Sequence, residues 1–246
     1  MKIVFSRKGF DSGSGRGPSP IVDGRPISLP IPDTKNLSRT SYRDLGLGEL
    51  ATKASGGTVN SDTLCHHDPM FLDNGTCVFG QFGGQVTLLE NAGVSVGDVF
   101  LFFGWFRGEG QPDHHRIFGY LEVEEILRLD GADEANIERF RSIDHPHAIG
   151  FHGSDRKDTL YIGKGQTART ASPKLLLTEP GRTRTNWLVP EWLRDVGLSS
   201  HHKNWRWPSP GRLKSVYRGQ EFVADIEDRA EPKQWLEEII SEIRAS

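Results

Sequence analysis

Apolar residues concentrate in a few short segments of this chain, and long polar stretches separate them. The most apolar run, residues 99–106, lacks the alternation of a half-exposed strand and therefore predicts a buried central strand. A polar turn at 108–113 and a second apolar run at 117–123 complete a predicted antiparallel hairpin. Near the C-terminus, residues 232–244 start with proline and repeat apolar side chains every four positions, which predicts an amphipathic helix.

Weaker patterns fill in the rest of the predicted secondary structure. The further elements are strands at 2–6, 26–30, 160–162, 175–177 and 221–225, a helix at 133–140, a helix at 187–196 that is broken or started at Pro190, and one short helix near 42–45 inside a polar loop at 33–63. Strands and short helices are mixed along the chain without a fixed repeat. We therefore predict one α+β domain over residues 1–246, with a mixed or barrel-like sheet, short flanking helices and a C-terminal helix.

Composition narrows the class of protein. The chain has 246 residues, 35% of them hydrophobic and 26% charged, as in an ordinary globular domain. Its net charge of −3 disfavours long duplex nucleic acid as the sole ligand, because that binding depends on neutralising phosphates. Two cysteines make no disulfide framework, and neither a signal peptide nor an apolar span of about 18 residues is visible. We expect a cytoplasmic protein that does not enter membranes.

The first predicted strand runs into a glycine-rich loop with basic side chains, residues 7–18. Arg7 and Lys8 could neutralise a phosphate while the loop amides bind it, and Ser12 and Asp11 add polar groups. No established phosphate-binding motif is present in this loop. A surface loop with solvated charges explains the same residues equally well.

Histidines occur in four groups: His66–His67, His114–His115, His145 and His147 with His152, and His201–His202. Neighbouring side chains of a strand point to opposite faces, so such pairs rarely supply two ligands to one ion, and the sequence analysis assigns no metal site. His67 beside Asp68 is the better candidate for acid–base chemistry. The alternative is a turn with an exposed imidazole.

Two further segments carry candidate ligand contacts. Gln81 lies in a glycine-rich segment at 80–85, and its amide suits the edge of a nucleobase, although a simple turn is as good an explanation. In the predicted hairpin, Trp105 or Arg107 could reach a ligand while the other aromatic residues fill the core. This hairpin resembles that of the PUA-like modules (EVE, ASCH and YTH), which implies a PUA-like barrel within residues 76–165 and a cleft for a modified base.

A wider resemblance covers nearly the whole chain. It is carried by residues 5–12, 18–21, 28–32, 67–69, 79–81, 101–107, 177–178 and 187–190. These phrases resemble the bacterial family called nucleotide modification associated domain 3, named for gene neighbourhoods linked to base modification. The residues that the resemblance points to are Arg7, Lys8, Asp11, Ser12, His67, Asp68, Gln81, Trp105 and Arg107. The insertion at 13–17 departs from the family pattern, so Arg16 is not assigned.

The resemblance implies a protein that binds a nucleotide or a base in nucleic acid and belongs to DNA or nucleotide modification. On this hypothesis His67, Asp68 and Asp11 are catalytic, while Arg7, Lys8, Ser12, Gln81, Trp105 and Arg107 bind the ligand. Two alternatives stay open: a reader of a modified base without turnover, and an adaptor in a bacterial modification or phage-defence system with other modification proteins as partners. The sequence indicates no particular cofactor.

Overall fold

A curled mixed sheet organises this protein in a computed structural model that describes residues 1–150, 157–217 and 219–245. His152 of the third histidine group lies outside the described residues. The strands in chain order are β1 (Lys2–Arg7), β2 (Ser19–Val22), β3 (Arg25–Pro26), β4 (Ile31–Pro32), β5 (Cys65–His66), β6 (Met70–Phe71), β7 (Thr76–Phe82), β8 (Val99–Arg107), β9 (His114–Arg128), β10 (Asp158–Thr167), β11 (Asn186–Leu188), β12 (Arg212–Lys214) and β13 (Glu221–Asp225).

Among the described residues, nine strands form the main sheet, along the path β13-β1-β8-β9-β10-β7-β6 with β2 and β3 attached beside β8. The β1–β8 and β2–β8 pairs are parallel, and the other pairs of this sheet are antiparallel. The sheet curls into a half-barrel, so that Gln81 of β7 bonds Glu221 of β13 although four strands separate them along the path. This curl creates the candidate site described below.

The predicted central strand is confirmed as β8, which lies between β1 and β9. Its alternate side chains supply two apolar layers, because successive residues of a strand face opposite sides of the sheet. Phe100 and Phe102 pack with Phe79 inside the curl. Phe103 packs against Trp187 on the opposite side, in the layer that the C-terminal helix covers.

Short helices flank the sheet. They are α1 (Gly48–Ala54), α2 (Gly84–Asn91), α3 (Glu134–Arg141), α4 (Trp192–Val196) and α5 (Ala230–Ala245), with 3-10 turns at Leu129–Gly131, Pro173–Leu175 and Asn204–Arg206. The C-terminal helix is confirmed as α5 and begins two residues before the predicted Pro232. Asp133 caps α3 by accepting a hydrogen bond from the Asn136 amide at 2.8 Å. No helix in the described part of the chain has the length and apolar character needed to cross a bilayer.

Several predicted elements are wrong, and most of them lie in segments rich in glycine or proline. Only Pro26 of the predicted strand at 26–30 belongs to a strand, and the predicted strand at 175–177 consists of the last residue of a 3-10 turn, Leu175, and one isolated bridge at Leu176. In the predicted helix at 187–196, the residues before Pro190 end β11, and the helix begins after this proline as the short α4, in agreement with a helix started at Pro190. The polar loop at 33–63 contains α1, a little after the predicted short helix.

The glycine-rich segment at 80–85 is not a turn. Gly80 to Phe82 finish β7, and Gly84 begins α2. Gly83 joins the two with φ of +56°, a conformation that favours glycine. The glycines here serve close packing and one sharp change of direction, and Gln81 consequently projects from a buried strand.

Candidate functional site

The basic pair at the end of β1 divides between the two sides of the sheet. Arg7 lies over the Phe103 ring and donates hydrogen bonds to the backbone oxygens of Tyr217 at 2.8 Å and Val216 at 3.1 Å. Lys8 places its Nζ 4.4 Å from the centre of the Phe79 ring, inside the curl. The two predicted phosphate ligands therefore belong to two different groups of polar residues.

A buried carboxylate, Glu221, joins the edges of the curled sheet. Its Oε1 accepts hydrogen bonds from Ser6 Oγ at 3.0 Å, from Lys8 Nζ at 3.0 Å and from Gln81 Nε2. Its Oε2 makes no hydrogen bond with the described residues. Lys8 and Gln81 are thus held in place by an acid that the sequence analysis did not select, and a ligand that used either side chain would compete with Glu221.

Histidines and aspartates from three separate segments meet beside this network. We call the group formed by His66, Asp68, His145, His147 and Asp158 the His–Asp cluster. His147 Nδ1 lies 2.5 Å from Asp158 Oδ1 at the start of β10, and His147 Nε2 lies 3.9 Å from Asp68 Oδ2. His145 Nε2 lies 3.4 Å from Asp68 Oδ1, and the His66 ring packs edge-on against the His147 ring at 5.2 Å between centres.

The backbone of β7 explains why the cluster can assemble. The Gly80 amide donates a hydrogen bond to Asp68 Oδ1 at 2.9 Å, which fixes the carboxylate. The His147 ring occupies the space where a side chain at position 80 would stand. A glycine at this position is therefore required by close approach of an imidazole, as is common where a strand lacks a side chain.

Burial controls the charges of the cluster. Desolvation lowers the pKa of His66 to about 3 and that of His147 to about 3, and it also lowers the pKa of His67. For Asp68, burial alone would raise the pKa, but the neighbouring imidazoles of His145, His147 and His66 outweigh it and the pKa falls below its usual range. At neutral pH the cluster thus combines an ionised carboxylate at Asp68 with neutral imidazoles at His66 and His147.

A second group of polar residues lies on the Arg7 side of the sheet. We call Trp105, Arg184, Tyr217, Ser12 and Arg7 the arginine–aromatic platform. The Arg184 guanidinium lies 4.0 Å from the centre of the Trp105 ring, and its Nη2 lies 3.3 Å from Tyr217 Oη. Ser12 Oγ lies 3.1 Å from the same hydroxyl. Tyr217 is 58% exposed, so the platform is open to solvent.

The remaining predicted site residues have local partners. Asp11 accepts hydrogen bonds from the amides of Gly13 at 2.7 Å and Ser14 at 2.6 Å, and so shapes its own loop. Arg107 forms an exposed ion pair with Asp113 at 2.5 Å. The electrostatic influence of Asp68 and His145 on the pKa of His67 associates that side chain with the His–Asp cluster.

Sequence reasoning missed several members of both groups. His147 was visible as part of a histidine group, but its partner Asp158 and the acid Glu221 carry no local pattern that sets them apart. Arg184 and Tyr217 are likewise ordinary loop residues in the sequence. They become significant only because the folded chain brings residues near 70, 80, 147 and 158, or 7, 105, 184 and 217, into contact.

Comparisons with known proteins give one result that bears on this site. Searches of curated proteins and of solved structures found no match. They therefore give no support to the predicted PUA-like barrel, which stays a prediction. The model of the family described as nucleotide modification associated domain 3 matches residues 2–225, which include both polar groups. This chain therefore belongs to the nucleotide modification associated domain 3 family.

Proposed function

We propose that this protein binds a nucleotide, or a base within nucleic acid, and modifies it at the His–Asp cluster. Family membership links the chain to nucleotide modification systems. The observation that carries the catalytic half of the proposal is the convergence of three imidazoles and two carboxylates, drawn from three segments, around Gly80. A protein that only binds has little need of so many buried titratable groups in one place.

The cluster is built for proton transfer. In this proposal the Asp158 carboxylate accepts a hydrogen bond from Nδ1–H of His147, which fixes the tautomer, and His147 Nε2 lies 3.9 Å from Asp68 Oδ2. A positioned imidazole backed by a carboxylate can take a proton from an attacking water molecule and give it to the leaving group, so that hydrolysis changes the mass of the nucleotide with water as the only co-reactant. His67 and Asp68, the pair selected from the sequence, act in this proposal as further acid–base groups of the same centre.

The arginine–aromatic platform supplies the binding half. Indole and phenol rings stack on nucleobases, and each stacked base contributes roughly 1–3 kcal/mol of binding free energy. Arg7 and Arg184 provide positive charge beside those rings for a phosphate. Arg7 and Lys8 are consecutive but face opposite sides of the sheet at the same end of β1, so this proposal requires a ligand that binds Arg7 on one side and passes around that end to the cluster.

The test is mass spectrometry of nucleosides after incubation of the purified chain with nucleotides and with single-stranded and duplex DNA. Nucleic acid from cells with and without the gene is analysed in parallel. We expect a mass change that disappears in Asp68→Asn and His67→Ala while ligand binding persists.

The binding half is tested separately, because Trp105→Ala should weaken binding of the nucleotide. Its matched control is Trp205→Ala, which also removes a tryptophan with an arginine, Arg206, over its ring at 4.3 Å.

A second function is supported by the platform itself. Trp105 with Arg184 and the exposed Tyr217 could recognise a modified base without any reaction. This reader function would be favoured if Trp105→Ala abolished binding while the wild-type chain and the cluster variants left every tested nucleotide unchanged. That outcome would reject the catalytic proposal.

A further inference from the structure

We propose that His66, Asp68 and His147 bind one divalent transition-metal ion. One nitrogen of each imidazole and one oxygen of the carboxylate lie within 4.8 Å of one another. The inference deepens the function proposed above, and its catalytic meaning rests on that function, whereas metal binding can be measured without any substrate. With the ion bound, His147 and Asp68 serve as ligands, and the acid–base role of the proposed function passes to His67.

The spacing of the three donor atoms suits an ion. With bonds of about 2.0–2.2 Å to nitrogen and oxygen, tetrahedral ligands lie about 3.4 Å from one another. The two most distant of the three donor atoms therefore have to approach each other by roughly 1.4 Å at most, and three side chains share this movement. His66 contributes to this set, while its sequence neighbour His67 does not, as expected for adjacent side chains that diverge.

Two of the three ligands already have the outer contacts that metal sites use. His147 directs Nδ1 to Asp158 Oδ1 at 2.5 Å, and a carboxylate behind a histidine orients its other nitrogen towards a metal. The Gly80 amide holds Asp68 Oδ1 at 2.9 Å, which leaves the second oxygen directed towards His147. Such outer partners are typical of metal ligands, and an accidental group of polar side chains does not require them.

The donor set indicates the class of ion. Two imidazoles and one carboxylate suit zinc, iron(II), cobalt or nickel, because calcium and magnesium prefer all-oxygen sites. Three protein ligands leave at least one position for water or substrate, as in catalytic rather than structural sites. His145 stands next to Asp68 at 3.4 Å and can bond a water in that position.

The test uses the full chain after dialysis against a chelator. It is titrated with Co²⁺, followed by visible absorption, and with Zn²⁺ in competition with a coloured chelator. We expect one ion per chain. His66→Ala, Asp68→Ala and His147→Ala should each lose the Co²⁺ spectrum, while His202→Ala, which removes an exposed histidine, should keep it. Asp158→Asn should still bind one ion, with affinity weakened about 10- to 100-fold.

Circular dichroism on each variant separates loss of the ion from loss of the fold. If the folded wild-type chain takes up no Co²⁺ or Zn²⁺ at millimolar concentration, the inference is wrong whatever the variants do. It is also wrong if the three ligand variants bind as the wild type does. Nucleotide modification that persists in excess chelator would reject a catalytic metal and keep the proposed function. If an ion binds but no nucleotide is modified, metal binding is retained and the proposed function is rejected.

Discussion

Two regions of this protein bury histidines, and they differ in the groups that contact the imidazole rings. In the His–Asp cluster, His147 and His145 lie within 4.0 Å of carboxylate oxygens. On the other side of the sheet, His115 Nδ1 accepts a hydrogen bond from Trp187 Nε1 at 3.0 Å. His201 pairs with the Ser199 carbonyl oxygen at 2.8 Å and accepts from the Val216 amide at 3.2 Å. The second pair thus has neutral partners that fix single rings in a packed core.

Low basicity is common to both regions, so it does not identify the site. Burial lowers the pKa of His201 to about 4 and holds that of His115 well below its usual value, as it does for His66 and His147. What distinguishes the cluster is the presence of Asp68 and Asp158, which can accept protons or bind an ion. Carboxylates, rather than histidine count or pKa, distinguish the proposed chemical centre from the packed core.

The largest expected effect follows from replacing the central carboxylate. Asp68→Asn keeps the shape of the side chain and removes its charge, so the chain should fold while nucleotide modification slows by about 10²- to 10⁴-fold. The rate is measured by mass spectrometry of the product. Asp62→Asn, at a carboxylate that is 75% exposed, is the matched control and should react at the wild-type rate. Equal rates in both variants would remove Asp68 from the chemistry.

A next smaller effect is expected at the backbone of β7. In Gly80→Ala the new methyl group overlaps the His147 ring, which should lower the free energy of unfolding by about 1–3 kcal/mol and displace the imidazole. Chemical denaturation measures the first effect, and Co²⁺ titration measures the second as weaker binding. Gly131→Ala, where a methyl group meets open space, is the control. Unchanged Co²⁺ binding in a destabilised Gly80→Ala would mean that His147 does not need its present position.

These two regions also show how far the sequence could predict the molecule. The buried strand at 99–106, the hairpin and the C-terminal helix were predictable because their patterns reflect local burial. His67–Asp68 and Trp105 were selected from local sequence as candidate site residues, and their roles stay predictions. Whether those residues share a site depends on the curl of the sheet, and no local pattern encodes the contact between Gln81 and Glu221. Lys8 and Trp105 were both predicted to bind the ligand, yet they belong to groups on opposite sides of β8.

The pH dependence of stability offers a test of the core histidines. His201 has a folded pKa of about 4 and an unfolded value near 6.5, so the unfolded chain binds more protons between these pH values. Its contribution is therefore present above pH 6.5 and is lost as the pH falls towards 4. Replacing it in His201→Phe should reduce the slope of unfolding free energy against pH by up to about 1.4 kcal/mol per pH unit in this window. Parallel slopes for variant and wild type would show that His201 titrates alike in both states.

The smallest expected effect concerns the other core ring. His115→Phe removes the acceptor for Trp187 Nε1, which retains the Arg184 carbonyl oxygen at 3.1 Å as a second partner. Because this indole donor keeps one bond, the free energy of unfolding should fall by only about 1 kcal/mol, as measured by urea denaturation. The variant should still bind one Co²⁺ ion per chain, whereas His66→Ala should bind none. A loss of the ion in His115→Phe would join the two regions into one functional unit and remove the contrast between a structural and a chemical histidine.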